Sequence, residues 1–246
     1  MENYVKLARK VMQERWPEAI GGFAGGSILR GQGKPNSDID MVVLLPQGAE
    51  AQKWWLRKGG VPFDVFCHDE QTLKAFVAAD YADRRNVLLA IMAEAVLLGD
   101  APQLRKWQRY ARAVLRKPLP DLPEDEVVFW RYRIMDKLED YEDVACELEQ
   151  AALATMLYQE LCDVLCYKAG IQRGHGKWRG RQAKKANPVL AWELWQALGH
   201  DLRHPQGKRL LPLGHALLKE LGGPLVKPEV NKAPLHMRQD KLFLFA

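Results

Sequence analysis

The chain has 246 residues, of which 48% are hydrophobic and 27% charged, with a formal net charge of +5 and a pI near 9.0. This is the composition of an ordinary soluble protein, long enough for one large domain or two modest ones. No apolar run approaches the roughly 20 residues that cross a bilayer, and no signal-peptide pattern opens the chain. We therefore expect a cytoplasmic protein with no membrane partner. The positive charge favours a polyanionic ligand without separating a nucleotide from a nucleic acid.

The first half of the chain alternates strand-like and helical patterns. A weak, glycine-containing strand is predicted at 19–25, and two stronger ones at 39–45 and 61–66, which are rich in β-branched and aromatic residues. The segment GAEAQKWWLRKGG between the stronger strands fits either a short helix or a long hairpin arm, and the sequence leaves that choice open. From the spacing of apolar residues, helices are predicted at 4–14, about 69–79 and 83–98.

The character of the chain changes at KPLPDLPED, residues 117–125. Strand patterns almost vanish beyond this segment. We therefore predict two domains, at 1–118 and 119–246, with the second built from helices alone.

Apolar residues of the second half recur at three and four residues from 125 to 169 and again from 188 to 198. Trp192 and Trp195 lie three residues apart in the later helix, a spacing more typical of core anchors than of a cofactor site. The stretch GHALLKELGG ends a further helix with glycines. The four cysteines have neither disulfide-scaffold density nor C-x-x-C spacing, so we expect reduced thiols in a core.

Three aspartates indicate a cation site. Asp38 and Asp40 stand at the entry of the strand at 39–45, and the alternation of side chains along a strand places both on one face. Asp64 lies between apolar residues of the next strand, where a carboxylate needs a partner to offset its loss of water. A solvated turn in PNSDID would explain Asp38 alone. Oxygen ligands that converge from two strands suit Mg²⁺, so we expect all three to be metal ligands.

The stretch GGSILRGQGKPNSDID, residues 25–40, carries a second feature. Gly25, Gly26 and Ser27 lie where the weak strand meets a turn, so their amides can face a ligand with little side chain in the way. With a helix start behind it, such a turn binds phosphate through backbone amides and the helix dipole. Arg30 would lie one turn further along.

The order of these features resembles the polymerase-β-type nucleotidyltransferase superfamily: Gly26-Ser27, a gap of ten residues, Asp38-Ile39-Asp40 on a strand, and Asp64 on a second strand. The two-part layout is similar to aminoglycoside nucleotidyltransferases and to minimal nucleotidyltransferases. The motifs cover about residues 20–66, and the Gly21-Gly22 pair departs from the family's more apolar first strand. The resemblance implies an α+β fold, in which a domain with a small mixed sheet flanked by helices precedes an all-helical bundle.

The resemblance also implies an activity, the Mg²⁺-dependent transfer of AMP from ATP to a hydroxyl with release of pyrophosphate. Two Mg²⁺ ions held by Asp38, Asp40 and Asp64 would orient and activate the hydroxyl and neutralise the phosphates. The nucleotide-binding residues expected on this basis are Gly25, Gly26, Ser27, Arg30 and Lys177.

Two charged segments of the second half are open to more than one interpretation. RGHGKWRGRQAKK, residues 173–185, gathers six cations that suit a triphosphate or an acidic partner, or form a solvated basic loop. Lys177 is favoured among them because glycines and Trp178 fix its surroundings, and because resembling enzymes use a lysine of the helical half. An acidic stripe could supply a general base, or be an exposed charged face. Its members are Asp136, Asp140, Asp143 and Glu147.

The sequence leaves three functions open. The first is nucleotidyl transfer to a small molecule, aminoglycoside-like if the acidic stripe binds a cationic acceptor. The second is transfer to a protein or RNA partner, as in antitoxin-type relatives, which the basic segment favours. The third is a nucleotide-binding module without turnover, against which the three aspartates argue. The acceptor, the nucleotide base, the oligomeric state and membership of a toxin-antitoxin pair are not fixed by the sequence.

Overall fold

The computed structural model describes residues 2–204 and 206–225. The chain divides into two compact units, Met1–Leu119 and Pro120–Ala246, called here the N-terminal unit and the helical unit. The N-terminal unit contains, in chain order, α1 Glu2–Arg15, β1 Gly21–Gly25, β2 Ile39–Leu44, β3 Gln52–Lys58, β4 Val61–His68, α2 Glu70–Ala82, α3 Val87–Glu94, β5 Val96–Leu98 and α4 Pro102–Leu115.

The five strands of this unit form one mixed sheet in the order β3-β4-β2-β1-β5. β2 and β4 run parallel, and the other neighbouring strands are antiparallel. The segment that the sequence left open is the hairpin arm β3, joined to β4 through Gly59 and Gly60. Their φ angles of 58° and 80° are those a tight two-residue hairpin turn requires. The hairpin supplies the crossover that lets β4 lie parallel to β2.

Helices cover both faces of the sheet, because its central strands are apolar on both sides. Met41 and Val43 of β2 belong to the core that includes Val11 of α1. Val42, which points the opposite way, belongs to the core that includes Leu73 of α2 and residues of α3 and α4. The predicted class, α+β with a small mixed sheet flanked by helices and followed by a helical part, is confirmed.

The prediction of one helix over 83–98 is wrong at both ends. The helix is only α3, because Asn86 adopts a left-handed conformation with φ of 53° at its start and Ala95 is extended at its end. Residues 96–98 form β5, which pairs with the outer edge of β1. Three apolar residues are too few for a strand period to stand out. The helix α4 was not predicted, although its buried residues Leu104, Trp107 and Ala111 have helical spacing.

The helical unit contains α5 Glu124–Asp143, α6 Glu147–Lys168, α7 Lys177–Ala186, α8 Pro188–Asp201 and α9 Leu210–Glu220. The periodic stretch over 125–169 is therefore two helices, since the backbone is extended at Val144 and Cys146. Glu147 begins the second helix, so the acidic stripe does not continue to it. Leu148, an apolar residue within this periodic stretch, is 81% exposed. In the described residues, no helix is long and apolar enough to cross a membrane.

Two further interpretations of this unit differ from the structure. Trp192 and Trp195 are not core anchors, since they are 62% and 52% exposed, and smaller residues such as Leu194 form the buried side of α8. The basic segment is helix α7 over most of its length rather than a loop. All four cysteines are free as expected, but Cys146 is exposed rather than in a core.

Candidate nucleotide and metal site

The parallel pairing of β2 with β4 brings two of the predicted aspartates together. Asp40 and Asp64 are direct partners across these strands, and Gly25 of β1 is the partner of Asp40 on its other side. The three residues thus form a row across adjacent strands, which lie about 4.8 Å apart. Side-chain alternation puts both carboxylates on the face that carries Val42, so they lie side by side at the start of their strands.

Asp38 lies just before β2 and is half-buried. Among the residues that the structure describes, no three His, Cys, Asp or Glu side chains are grouped closely enough to hold a metal ion. The structure therefore brings Asp40 and Asp64 together, and it does not gather Asp38 with them into a three-carboxylate cluster.

The surroundings of Asp64 fit a cation. Its Oδ1 atom is buried and accepts no hydrogen bond from the described part of the chain. Its Oδ2 atom lies 3.3 Å from the Nζ of Lys53 on β3, whose side chain is 61% exposed. A buried carboxylate oxygen without a partner costs free energy unless a cation or donor reaches it. Hard oxygen donors of this kind suit Mg²⁺, and Lys53 is exposed enough to move aside.

The turn after β1 approaches the same aspartates closely. Gly26 has φ of 98°, and a Cβ atom added to it would lie 2.8 Å from Asp40 Oδ2 and 3.0 Å from the main-chain oxygen of Asp38. Both the backbone conformation and the contact require glycine at this position. The main chain at Gly26 therefore lies directly against the carboxylate of Asp40.

The backbone that follows is a turn and not the helix start that the sequence predicted. The Arg30 amide donates to Gly26 O at 3.3 Å and the Gln32 amide donates to Ser27 O at 2.9 Å, but no regular helix follows. Ser27 Oγ donates to Ser37 Oγ at 3.0 Å, closing the loop just before Asp38. A helix dipole is thus missing from this turn.

Arg30 is held by the N-terminal unit itself. Its Nη1 atom donates to Glu94 Oε2 at 2.9 Å, at the end of α3. The sequence did not indicate that Glu94 and Lys53 are neighbours of the site. Lys53 lies in the hairpin arm that the sequence left undecided, and Glu94 in a helix whose extent was predicted wrongly.

Lys177, the fifth predicted nucleotide-binding residue, is the first residue of α7 in the helical unit and is exposed. It lines a cavity of about 610 Å³ bounded by residues of α6, α7 and α8. The acidic stripe of α5 lies on an exposed surface, at Asp136, Asp140 and Asp143. This exposure agrees with the interpretation of the stripe as a solvated charged face.

A buried carboxylate fixes α7 onto α6. Asp163 of α6 forms ion pairs with Arg179 at 3.2 Å and with Arg173 at 3.7 Å. Burial raises the pKa of Asp163 to about 6, although the two arginines pull it down. Arg179 also donates to Gln159 of α6. Two of the six cations of the basic segment therefore have a structural role.

Comparison with known proteins identifies the N-terminal part of the chain. Residues 5–112 match the family model described as a nucleotidyltransferase domain. The resemblance inferred from the sequence is therefore confirmed over these residues.

One solved structure similar to this chain is the crystal structure of a nucleotidyltransferase-like protein from Exiguobacterium sibiricum 255-15. The two chains share 13% identity with a TM-score of 0.47, over 89% of this chain and 74% of that one. No curated protein matches the sequence.

Proposed function

We propose that the protein is a Mg²⁺-dependent nucleotidyltransferase that transfers AMP from ATP to a hydroxyl group of a small molecule and releases pyrophosphate. The family supports nucleotidyl transfer in general. The observation that carries the proposal is the pairing of Asp40 with Asp64 on parallel neighbouring strands, with the Gly26 backbone against Asp40. Two adjacent carboxylates beside a turn of accessible amides combine a cation site with a phosphate site.

Each group has a role in this proposal. Asp40 and Asp64 hold the cation, and Asp38 is the further ligand that the resemblance implies. Bound Mg²⁺ would neutralise phosphate charge and lower the pKa of the acceptor hydroxyl. The amides of Gly25, Gly26 and Ser27 bind phosphate oxygens, and the positive charge of Arg30 is proposed to act on the same phosphates.

The reaction forms one bond and breaks one. The acceptor oxygen attacks the α-phosphorus, and the bond from this phosphorus to the bridging oxygen breaks, so that pyrophosphate leaves with the electron pair. The acceptor proton passes to solvent water. The contribution of the protein is to hold the phosphates and the cation in fixed positions, so that the acceptor oxygen attacks opposite the leaving pyrophosphate.

The test is to incubate the full chain with ATP and MgCl₂ and a panel of hydroxyl acceptors, and to measure pyrophosphate release and the mass gained by each acceptor. The panel contains aminoglycosides, neutral sugars, short RNAs and candidate partner proteins. We expect AMP addition to a small molecule by the wild type and by Asp121→Asn, a control on an exposed acid. Asp40→Asn and Asp64→Asn should lose at least about a hundredfold in rate. Equal rates for all four proteins would refute the enzyme proposal.

A second candidate is transfer to an RNA or protein. The observation that favours it is the cavity of the helical unit, which Lys177, Arg181 and Lys184 line without any acidic residue. Such a cavity repels a cationic acceptor and attracts an anionic one. AMP on an RNA end or a protein side chain in the same assay would decide for this candidate.

A third candidate is a nucleotide-binding module without turnover. The ion pair between Lys53 and Asp64 favours it, as does the absence of a three-carboxylate group among the described residues. ATP binding without pyrophosphate release, with every acceptor tested, would favour this module.

A further inference from the structure

The cavity of the helical unit has the size and lining of a ligand site. Its volume of about 610 Å³ lies in the range typical of sites for small ligands or short segments. It is bounded by α6, α7 and α8, with an aromatic wall on α8 and a cationic wall on α7. The tryptophans of the aromatic wall are not part of the hydrophobic core cluster of this unit.

The aromatic wall consists of two exposed tryptophans. Trp192 and Trp195 lie three residues apart, hence on one side of α8, and both line the cavity. The ring of Tyr158 from α6 meets that of Trp195 edge to face, with centroids 6.5 Å apart. The buried side of α8 is formed by other residues, so the core does not explain the indoles. Indoles exposed together in a cavity offer flat apolar surfaces to a ligand.

The cationic wall is formed by Lys177, Arg181 and Lys184, which line the cavity together with Arg179. Their spacing of four and three residues places them along one side of α7, over about 10 Å of helix. The residues that line the cavity include no aspartate or glutamate. Arg173 and Arg179 are tied to Asp163, which holds the cationic wall in place before any ligand binds.

We propose that this cavity binds single-stranded nucleic acid, with bases stacked on Trp192 and Trp195 and phosphates bound by the cations of α7. Stacking platforms beside a cationic track are how proteins hold such strands without reading their sequence. The cations of the wall lie about one helical turn apart. This spacing is closer to the distance between successive phosphates of a strand than to the shorter distance between the adjoining phosphates of a triphosphate. An acidic peptide would use the cations but not the flat indole surfaces. The proposal does not depend on nucleotidyl transfer.

The test is fluorescence anisotropy of labelled eight-nucleotide poly(U) and poly(A) strands, as RNA and as DNA, titrated with the full chain at two salt concentrations. Trp192→Ala should weaken binding about 5- to 150-fold, the factor that corresponds to loss of one stacked base. The triple variant K177A/R181A/K184A should weaken binding. It should also flatten the dependence of log affinity on log salt concentration, by the amount that corresponds to the loss of up to three phosphate contacts. The matched controls, Tyr132→Ala and Lys219→Ala, change an exposed aromatic and an exposed lysine elsewhere in the helical unit. They should bind like the wild type, and thermal unfolding checks that every variant is folded.

The outcomes separate the alternatives. Loss of strand binding in the cavity variants, but not in the controls, supports the proposal. No strand binding, or binding that the cavity variants leave unchanged, would overturn it. Equal or tighter binding of ATP, inorganic triphosphate or a polyglutamate peptide, measured by competition, would assign the cavity to another anion and also overturn it. Asp40→Asn should bind strands normally, so failure of the proposed enzyme activity and failure of this site are told apart.

Discussion

At the scale of single residues, Gly26 connects the glycine turn to the aspartates. Replacing it with alanine should strain the backbone and push the new Cβ into the carboxylate of Asp40, 2.8 Å away. We expect a loss of about 1–3 kcal/mol in the free energy of unfolding together with a displaced carboxylate. The measurements are urea unfolding and ATP turnover.

Gly48 is the matched control for this substitution, because its φ of 88° is similar and a Cβ there would meet nothing within 4 Å. Gly48→Ala should cost stability through backbone strain alone and keep full turnover. If both variants had the same turnover, the contact between Gly26 and Asp40 would not affect catalysis.

Asp163 should make stability depend on pH in a direction unusual for an acid. Because burial raises its pKa to about 6 from 3.8, the folded protein holds this proton more tightly than the unfolded chain does. The free energy of unfolding contributed by this group should therefore fall as pH rises from about 4 to 6, by at most about 3 kcal/mol, and then level off. Urea unfolding across this range, compared with Asp163→Asn, isolates the effect. A difference between the two proteins that does not change with pH would show that Asp163 keeps an ordinary pKa.

The side-chain directions of the site residues could be predicted where the residues lie in regular strands, because side chains alternate between the two faces of a strand. Asp40 and Asp64 each interrupt an apolar strand, so burial and side-chain direction follow from the sequence itself. Lys53 was not predictable, since its approach to Asp64 depends on β3 pairing with β4, and the sequence of that segment also fits a helix. The side-chain position of Asp38, outside the regular strand, is likewise not set by alternation.

At the scale of elements, the crossing of α5 and α9 depends on a small residue. A Cβ added to Gly214 of α9 would lie 2.6 Å from a methyl group of Leu138 on α5. Gly214→Ala should therefore overpack this contact and cost about 1–3 kcal/mol in the free energy of unfolding. Gly199 of α8 is the control, as its nearest neighbours would be 3.8 Å away. Gly199→Ala should stabilise by up to about 1 kcal/mol through helix propensity. If Gly214→Ala and Gly199→Ala changed the free energy of unfolding in urea by the same amount, close packing at Gly214 would be contradicted.

Element boundaries followed from the sequence where periodicity is long or turn residues are strong. The strands β2 and β4 combine apolar runs with glycine and proline boundaries, and both were predicted. The break between α5 and α6 falls at Val144 and Cys146, which carry no glycine or proline signal, so it could not be seen. For Trp192 and Trp195, helical spacing gave the correct helix but not the side that is buried, because that depends on which neighbours pack against it.

At the scale of the whole molecule, the chain combines two different chemistries. The N-terminal unit carries an acidic pair suited to a cation, within the residues that match the nucleotidyltransferase domain model. The helical unit carries a basic and aromatic cavity suited to an anion. The net charge of +5 predicted a polyanionic ligand, but only the fold shows that the cations of this cavity and the paired aspartates lie in separate units.

We propose that Asp40 and Asp64 together hold the cation that makes ATP reactive. The most direct measurement is Mn²⁺ binding, followed by electron paramagnetic resonance with a non-hydrolysable ATP analogue present. Asp64→Asn should weaken binding at least about tenfold, and Lys53→Met should tighten it by removing a competing charge. Asp121→Asn should bind Mn²⁺ like the wild type. Unchanged Mn²⁺ affinity in Asp40→Asn and Asp64→Asn, with ATP still bound, would contradict the claim.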